Sequence, residues 1–165
     1  MALTVEDGSQ VANADSYVSV ADARTYLAAR GESFTADDAV AEQNLLKAMD
    51  VLEAKRSQYK GTKVSSTQSL QWPRDEVYID GLLFANDAIP DELVHAQAYL
   101  ALYAQDYALQ AVGSGRTVVK EKVDVIERSY SDSKVGTVQA QFNKVNDLLA
   151  PLLSNAGLSL VNVRV

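Results

Sequence analysis

The sequence predicts a mainly α fold: a small bundle of about four helices, a projecting β segment or hairpin, and extended N- and C-terminal arms. Three observations carry this. Ser19-Val20-Ala21-Asp22 and Thr35-Ala36-Asp37-Asp38 both read as capping boxes ahead of helix-friendly stretches. Pro90-Asp91-Glu92 opens a long apolar stretch, with proline at the first helical position and acids at the positive helix end. Residues 117–130 then change period and become rich in β-branched side chains.

Residues 1–18 form the N-terminal arm. VADARTYLAAR follows the first capping box, and Gly31 supplies a left-handed C-terminal cap. Behind the second box, Val40, Leu45, Met49 and Leu52 recur at helical spacing, so a second helix runs to about residue 56. The short connection predicts an antiparallel pair. Residues 57–88 are an irregular insertion in a 19–112 bundle, with Gly61, a Ser/Thr cluster, Pro73 and Gly81. Pro73 disfavours the α region for Trp72, so this step is extended or a turn. Tyr78, Ile79, Leu82, Leu83 and Phe84 are too apolar for a free loop, and the stretch should fold back on the helices.

The third helix should run from Pro90 to about Val112, with Gly113 as terminator. Tyr99, Tyr103 and Tyr107 share one face of it, and Leu93, Leu100, Ala104 and Leu109 add apolar surface. A helix apolar on most sides is central, or shared with a neighbouring subunit. Residues 113–136 form the β projection. Val123 and Val125 share one face; Val118, Ile126 and Tyr130 share the other with Lys120, Lys122 and Arg128. Residues 137–157 form a C-terminal helix striped by Phe142, Val145, Leu148 and Leu149, which Pro151 kinks or ends near Ala150. Residues 158–165 form a strand-like tail. It either joins another sheet or closes the domain's own sheet with 117–130. No repeat and no internal domain boundary is evident.

At 165 residues the chain suits a single domain, able to bury roughly 70% of its unfolded surface. No apolar run approaches the ~20 residues that cross a bilayer. The opening MALTVEDGSQ has neither a basic n-region nor an apolar h-region, so no signal peptide is expected. Without cysteine, disulfide scaffolds and thiolate metal sites are excluded, which fits a cytosolic protein or one independent of redox state. The formal charge of −7 disfavours general binding to phosphate backbones. Its distribution is uneven. Residues 55–74 hold five bases and no acid, whereas residues 75–112 hold seven acids and no base. The basic stretch is either a solvated loop attracted to acidic helices or a nucleic-acid surface.

Nothing points to catalysis. His95 is the one histidine, inside a predicted helix, and reads as structural or surface. There is no G-x-S-x-G elbow, and Gly113-Ser114-Gly115-Arg116 lacks the lysine and helix of a phosphate loop. Multi-histidine and calcium-loop spacings are absent. Asp37-Asp38 and Asp91-Glu92 sit in first helical turns, where the helix dipole accounts for them. The expectation is a non-enzymatic domain with no cofactor.

Trp72, Pro73 and Arg74 admit three readings. The ring packs on the bundle while the proline sets the turn; the tryptophan and arginine anchor an interface with a neighbour; or they stack and pair with single-stranded DNA. A platform needs several aromatics along a basic groove, and Tyr59 is the only other aromatic within the basic segment. The first reading is therefore favoured.

Five segments occur in a familiar order: ANADSYVSVADARTYLAARG (12–31), QSLQWPRDEV (68–77), IPDELVHAQAYLA (89–101), EKVDVIERSYS (121–131) and NDLLAPLLSNAG (146–157). On these the chain resembles the tailed-phage head–tail connector proteins, also called adaptor or head-completion proteins. That family often also carries, by automated transfer, the label of a DnaT-like single-stranded-DNA-binding protein. The resemblance implies a structural virion protein at the head–tail junction, made in the bacterial host cytoplasm. It implies a homo-oligomeric ring, commonly of twelve subunits, under the portal, with genomic DNA passing through the lumen and no sequence-specific nucleic-acid binding. Its partners would be the portal and a tail-proximal connector or tail terminator, with no membrane.

Within that picture Trp72, Pro73, Arg74, Tyr99, Tyr103 and Tyr107 are structural anchors or subunit-interface residues. Lys55, Arg56, Lys60 and Lys63 face the lumen, DNA or a neighbour. Leu158, Leu160, Val161, Val163 and Val165 dock on the portal or tail. Two features depart from the family pattern: the first helix lacks the commoner aromatic-rich form, and residues 121–131 are more charged than the usual glycine-containing hairpin. The alternative is a single-stranded-DNA-binding replication accessory protein.

Overall fold

A computed structural model describes residues 3–106, 109 and 143–154. The fold is mainly α. Helices α1 (Val20–Ala28), α2 (Asp38–Ala54) and α3 (Asp91–Tyr103) are joined by α4 (143–149), which runs into a 3-10 turn at Ala150–Leu152. Between α2 and α3 lie two short antiparallel pairs, β1 (Thr62–Lys63) with β2 (Arg74–Asp75) and β3 (Tyr78–Ile79) with β4 (Leu82–Leu83).

The helix starts follow local chemistry. Ser19 Oγ accepts from the Asp22 N–H and donates to Asp22 Oδ2 at 2.6 Å, so the acid returns the bond through the hydroxyl. At the other end of α1, Gly31 adopts φ +75°; its N–H donates to Ala28 O, and the Glu32 N–H to Leu27 O. This is a Schellman ending, with Gly31 in the left-handed position that disfavours other residues. For α2 the cap is Asp37, not Thr35. Asp37 Oδ1 takes the N–H groups of Ala39 and Val40, while Thr35 Oγ1 takes only that of Asp37.

Helix α3 is the centre of the bundle, buried at Leu93 and continuously from Ala96 to Tyr103. Pro90 is its cap residue and lies just outside the helix. The helix stops at Tyr103, well short of Val112. There the hydrogen bonds tighten from i→i−4 to i→i−3, with Gln105 N donating to Leu102 O and Asp106 N to Tyr103 O. The Gln105 side chain then ties this end to the α1–α2 connection, accepting from Thr35 N and donating to Ser33 O. Leu45, Ala48, Met49 and Leu52 of α2 and Ala23 and Leu27 of α1 complete the core around α3. Val40, expected in the α2 stripe, is 41% exposed.

The extended N-terminal segment is packed along the bundle. Gln97, fully buried, accepts from Tyr17 N and donates to Ser16 Oγ and Leu45 O, pinning this segment to α2 and α3. Of the C-terminal stripe, Val145 and Leu149 are buried and Leu148 is half-buried; Leu152, beyond it, is buried too. After α4 the chain returns to the α2 exit, where Leu153 bridges antiparallel to Tyr59 and Lys60 N donates to Leu152 O. Tyr107, Phe142, the 113–136 projection and the 158–165 tail fall outside the described residues.

Candidate nucleic-acid interface

The segment between α2 and α3 is held from beneath. Trp72 is completely buried; its ring meets Tyr59 edge-on at 6.0 Å and Phe84 edge-on at 6.2 Å. Its backbone N–H donates to the Tyr17 hydroxyl, and that hydroxyl donates to Glu53 Oε1, which also accepts from Gln71 N. Burial, reinforced by the Glu53 carboxylate, raises the proton affinity of the Tyr17 phenol strongly. Pro73 is buried behind a cis peptide bond, its carbonyl accepting from Gln68 Nε2.

Arg74 is also internal. Its Nε donates to Lys60 O at 2.7 Å and its Nη2 to Gly61 O at 2.6 Å, and the guanidinium lies 5.9 Å from the Tyr59 ring centroid. Burial lowers its pKa from the usual value, opposed by Tyr59, Tyr17 and Glu53. The fork of the guanidinium suits two adjacent carbonyls, a task lysine's point charge does not reproduce. Gly61 is required here: at φ +65°, an added Cβ would sit 2.1 Å from the Asp75 carbonyl oxygen. Trp72, Pro73 and Arg74 therefore form a scaffold within one chain. A ring with no exposed area offers no face for a base to stack on.

What the scaffold presents is β1 and the turn before it. Arg56 is exposed and Lys55 half-buried just after α2. Lys63 Nζ donates to Gln68 O, and Lys60 Nζ donates to Tyr78 O at 3.1 Å. This last contact joins the basic segment to the β3–β4 hairpin. Tyr78 stands on β3 opposite Leu83 and is 56% exposed. An exposed aromatic residue tied to a basic segment offers what a single strand needs, stacking for a base and charge for its phosphates. Asp75, Glu76 and Asp80 are exposed around it and keep the positive surface narrow.

From sequence Tyr78 was expected to fold back on the helices with Leu82 and Leu83, not to stand exposed as all three do. The signal was present: Asp80-Gly81 between apolar residues is a two-residue hairpin sequence, and both residues have positive φ, 52° and 81°. A hairpin that short, with no helix of the described residues packed over it, exposes part of its apolar content.

The remaining candidates are dispersed. Tyr99 and Tyr103 are buried in the core with their rings 6.0 Å apart, and Lys144 Nζ lies 3.8 Å from the Tyr99 ring centroid while hydrogen-bonding its hydroxyl. Burial pushes the Tyr103 phenol up to about 12. His95 stacks on Tyr26 at 3.9 Å, and the Arg30 guanidinium lies 3.5 Å from the Tyr26 ring centroid. Burial lowers the pKa of His95 from its usual value, against the pull of Asp91. Among the described residues no group of acids and histidine could hold a metal ion, and no helix is long and apolar enough to cross a membrane.

Compared with protein families, the chain matches over residues 1–165 a family described as "Putative DnaT-like ssDNA binding protein". No curated protein and no solved structure matches it. The family match corrects the connector resemblance. With that resemblance fall the head–tail adaptor role, the twelve-subunit ring, the portal and tail partners of Leu158, Leu160, Val161, Val163 and Val165, and DNA as a cargo that merely passes. The physical reason lies in the segments that carried it. Tyr17, Ala23, Leu27, Trp72, Leu93, Tyr99 and Leu149 are all buried, so the four segments that reach the described residues record how the bundle packs, while 121–131 lies outside them. Packing specifies a fold and leaves function to the surface built on it. Matched from end to end, the chain belongs to the DnaT-like ssDNA-binding family.

Proposed function

We propose that this protein is a non-enzymatic, single-stranded-DNA-binding accessory protein. Lys55, Arg56, Lys60 and Lys63 contact phosphates, and Tyr78 stacks on a base. The observation that carries this reading is the Lys60 Nζ contact with the Tyr78 backbone carbonyl at 3.1 Å, which ties the basic segment to the residue whose ring is exposed. The family description points the same way. Trp72 and Arg74 support the site from inside and do not touch the strand.

Four cations on a chain of formal charge −7 imply a small footprint and moderate affinity. Each neutralised phosphate of a single strand contributes about 0.7 to the slope of log K against log salt, so the slope should be no steeper than about −3. Fluorescence anisotropy with a labelled oligothymidylate between 50 and 300 mM salt measures it. Lys60→Glu with Lys63→Glu should abolish binding while lowering the melting temperature only modestly, since each lysine gives up one hydrogen bond to a backbone carbonyl. Affinity indifferent to salt and to both reversals would remove the site.

A further inference from the structure

Leu82 and Leu83 on β4 are 75% and 63% exposed. With Tyr78 and Val40 they are the large apolar side chains that the described residues leave exposed. Single exposed leucines are ordinary. These two border a groove of about 580 Å³ whose apolar lining includes Phe84 and Ile89, and whose rim carries Asp80, Asp91 and Glu92. Carboxylates repel phosphate, so the acid-rimmed groove does not itself extend the DNA surface, although Leu83 pairs with Tyr78 across the hairpin and shares its face. An apolar strip inside an acidic rim fits an apolar strand that carries positive charge and no acid.

One segment of this chain has that composition. Residues 155–165, NAGLSLVNVRV, hold Leu158, Leu160, Val161, Val163, Val165 and Arg164, with no acid. The other long segment outside the described residues, 110–142, contains Glu121, Asp124, Glu127 and Asp132 and fits the rim poorly. The departure point also favours the tail. Ser154 N donates to Gln58 O at 2.7 Å, and Leu153 bridges to Tyr59. The next residue, Lys60, reaches Tyr78 through its own side chain. The tail thus leaves from the stretch of chain that touches β3, and eleven extended residues reach about 36 Å.

We propose that residues 158–165 dock in this groove along the β3–β4 hairpin of the same molecule, burying Leu82 and Leu83, with Arg164 against the Asp91 and Glu92 rim. Among the described residues β4 has β3 as its one strand partner, which leaves it an edge for such an added strand. Tethering gives the segment an effective concentration that a free peptide lacks. This docking goes beyond the DNA-binding reading and does not rest on it.

The absence of native cysteine makes the test direct. Leu82→Cys with Leu160→Cys in the full chain is oxidised mildly and followed on non-reducing gels. Leu82 is exposed, so the substitution leaves the core intact. The control is Ser33→Cys with Leu160→Cys. Ser33 is exposed and bonds Gln105 beyond the far end of α3, and a helix of 13 residues separates it from the groove by about 20 Å. The first pair should form an intramolecular disulfide at least tenfold faster than the control, and Arg164→Glu should slow it several-fold. Equal rates for the two pairs would overturn the proposal. A disulfide-linked dimer as the main product would overturn it too, placing a second copy's tail on the hairpin.

Discussion

The backbone N–H of Trp72 donates to the Tyr17 hydroxyl at 3.1 Å, across 55 residues of sequence. That hydroxyl donates in turn to Glu53 Oε1 at 3.0 Å, so one phenol links the N-terminal segment, α2 and the loop that carries the tryptophan. Tyr17→Phe removes the acceptor of a buried N–H and the donor to a partly buried carboxylate. Leaving such groups unpaired costs about 1–3 kcal/mol, which urea unfolding should show.

The same phenol predicts an alkaline limit. Burial first, and the Glu53 carboxylate second, raise the pKa of Tyr17 above that of an unfolded tyrosine, and burial raises that of Tyr59. A raised folded pKa means that folding favours the protonated form. The associated stability is whole below the unfolded value of about 10 and is lost as pH climbs above it. The melting temperature should hold from neutrality to about pH 10 and then fall. Tyr17→Phe should start lower and fall less steeply.

Trp72→Ala should cost about 3–5 kcal/mol, since a fully buried ring leaves a large cavity between Tyr59 and Phe84. Trp72→Phe is the sharper test. The Trp72 Nε1 atom is buried with no hydrogen-bond partner among the described residues, so phenylalanine forfeits volume but no bond to them. It should cost markedly less than alanine by chemical denaturation. Equal costs would mean that the indole N–H is satisfied after all.

Legibility followed the range of the interactions. Ser19, Gly31 and Pro90 marked helix ends because capping chemistry is confined to a few neighbouring residues. The end of α3 was missed because the apolar pattern runs on past Tyr103, while Gln105 ties this end to Ser33 and Thr35 some 70 residues away. The α2 cap was misplaced by two residues because Thr35 and Asp37 are both competent, and only the folded backbone shows which reaches two N–H groups. At the site, the basic residues were legible as a charge cluster. Tyr78 was not, because exposure on a hairpin depends on what else packs over it. The connector reading arose largely from segments whose described residues are core, which say how the chain packs and nothing about its partners.

Tyr78→Ala should separate binding from stability. A ring that is 56% exposed contributes little to the core, so the melting temperature should move by less than a few degrees. Loss of base stacking should weaken binding to an oligothymidylate by about 1–3 kcal/mol. Tyr78→Phe keeps the face and should retain most of the affinity. Titration of both variants against the parent decides it; equal binding by all three would strike Tyr78 from the interface.

Arg74→Lys tests the link between scaffold and surface. Arg74 Nε and Nη2 hold the carbonyls of Lys60 and Gly61, and Lys60 in turn reaches Tyr78. Lysine keeps the charge but cannot grip two adjacent carbonyls in one plane. Losing charge-assisted bonds of this kind should cost about 1.5–3 kcal/mol of stability. If Arg74 acts only from inside, the loss of DNA affinity should be restored at lower temperature or by a stabilising osmolyte, because the cations at Lys60 and Lys63 are still present. If Arg74 itself met the phosphates, the salt slope would fall by about 0.7 with little change in melting temperature. The buried guanidinium predicts the first pattern.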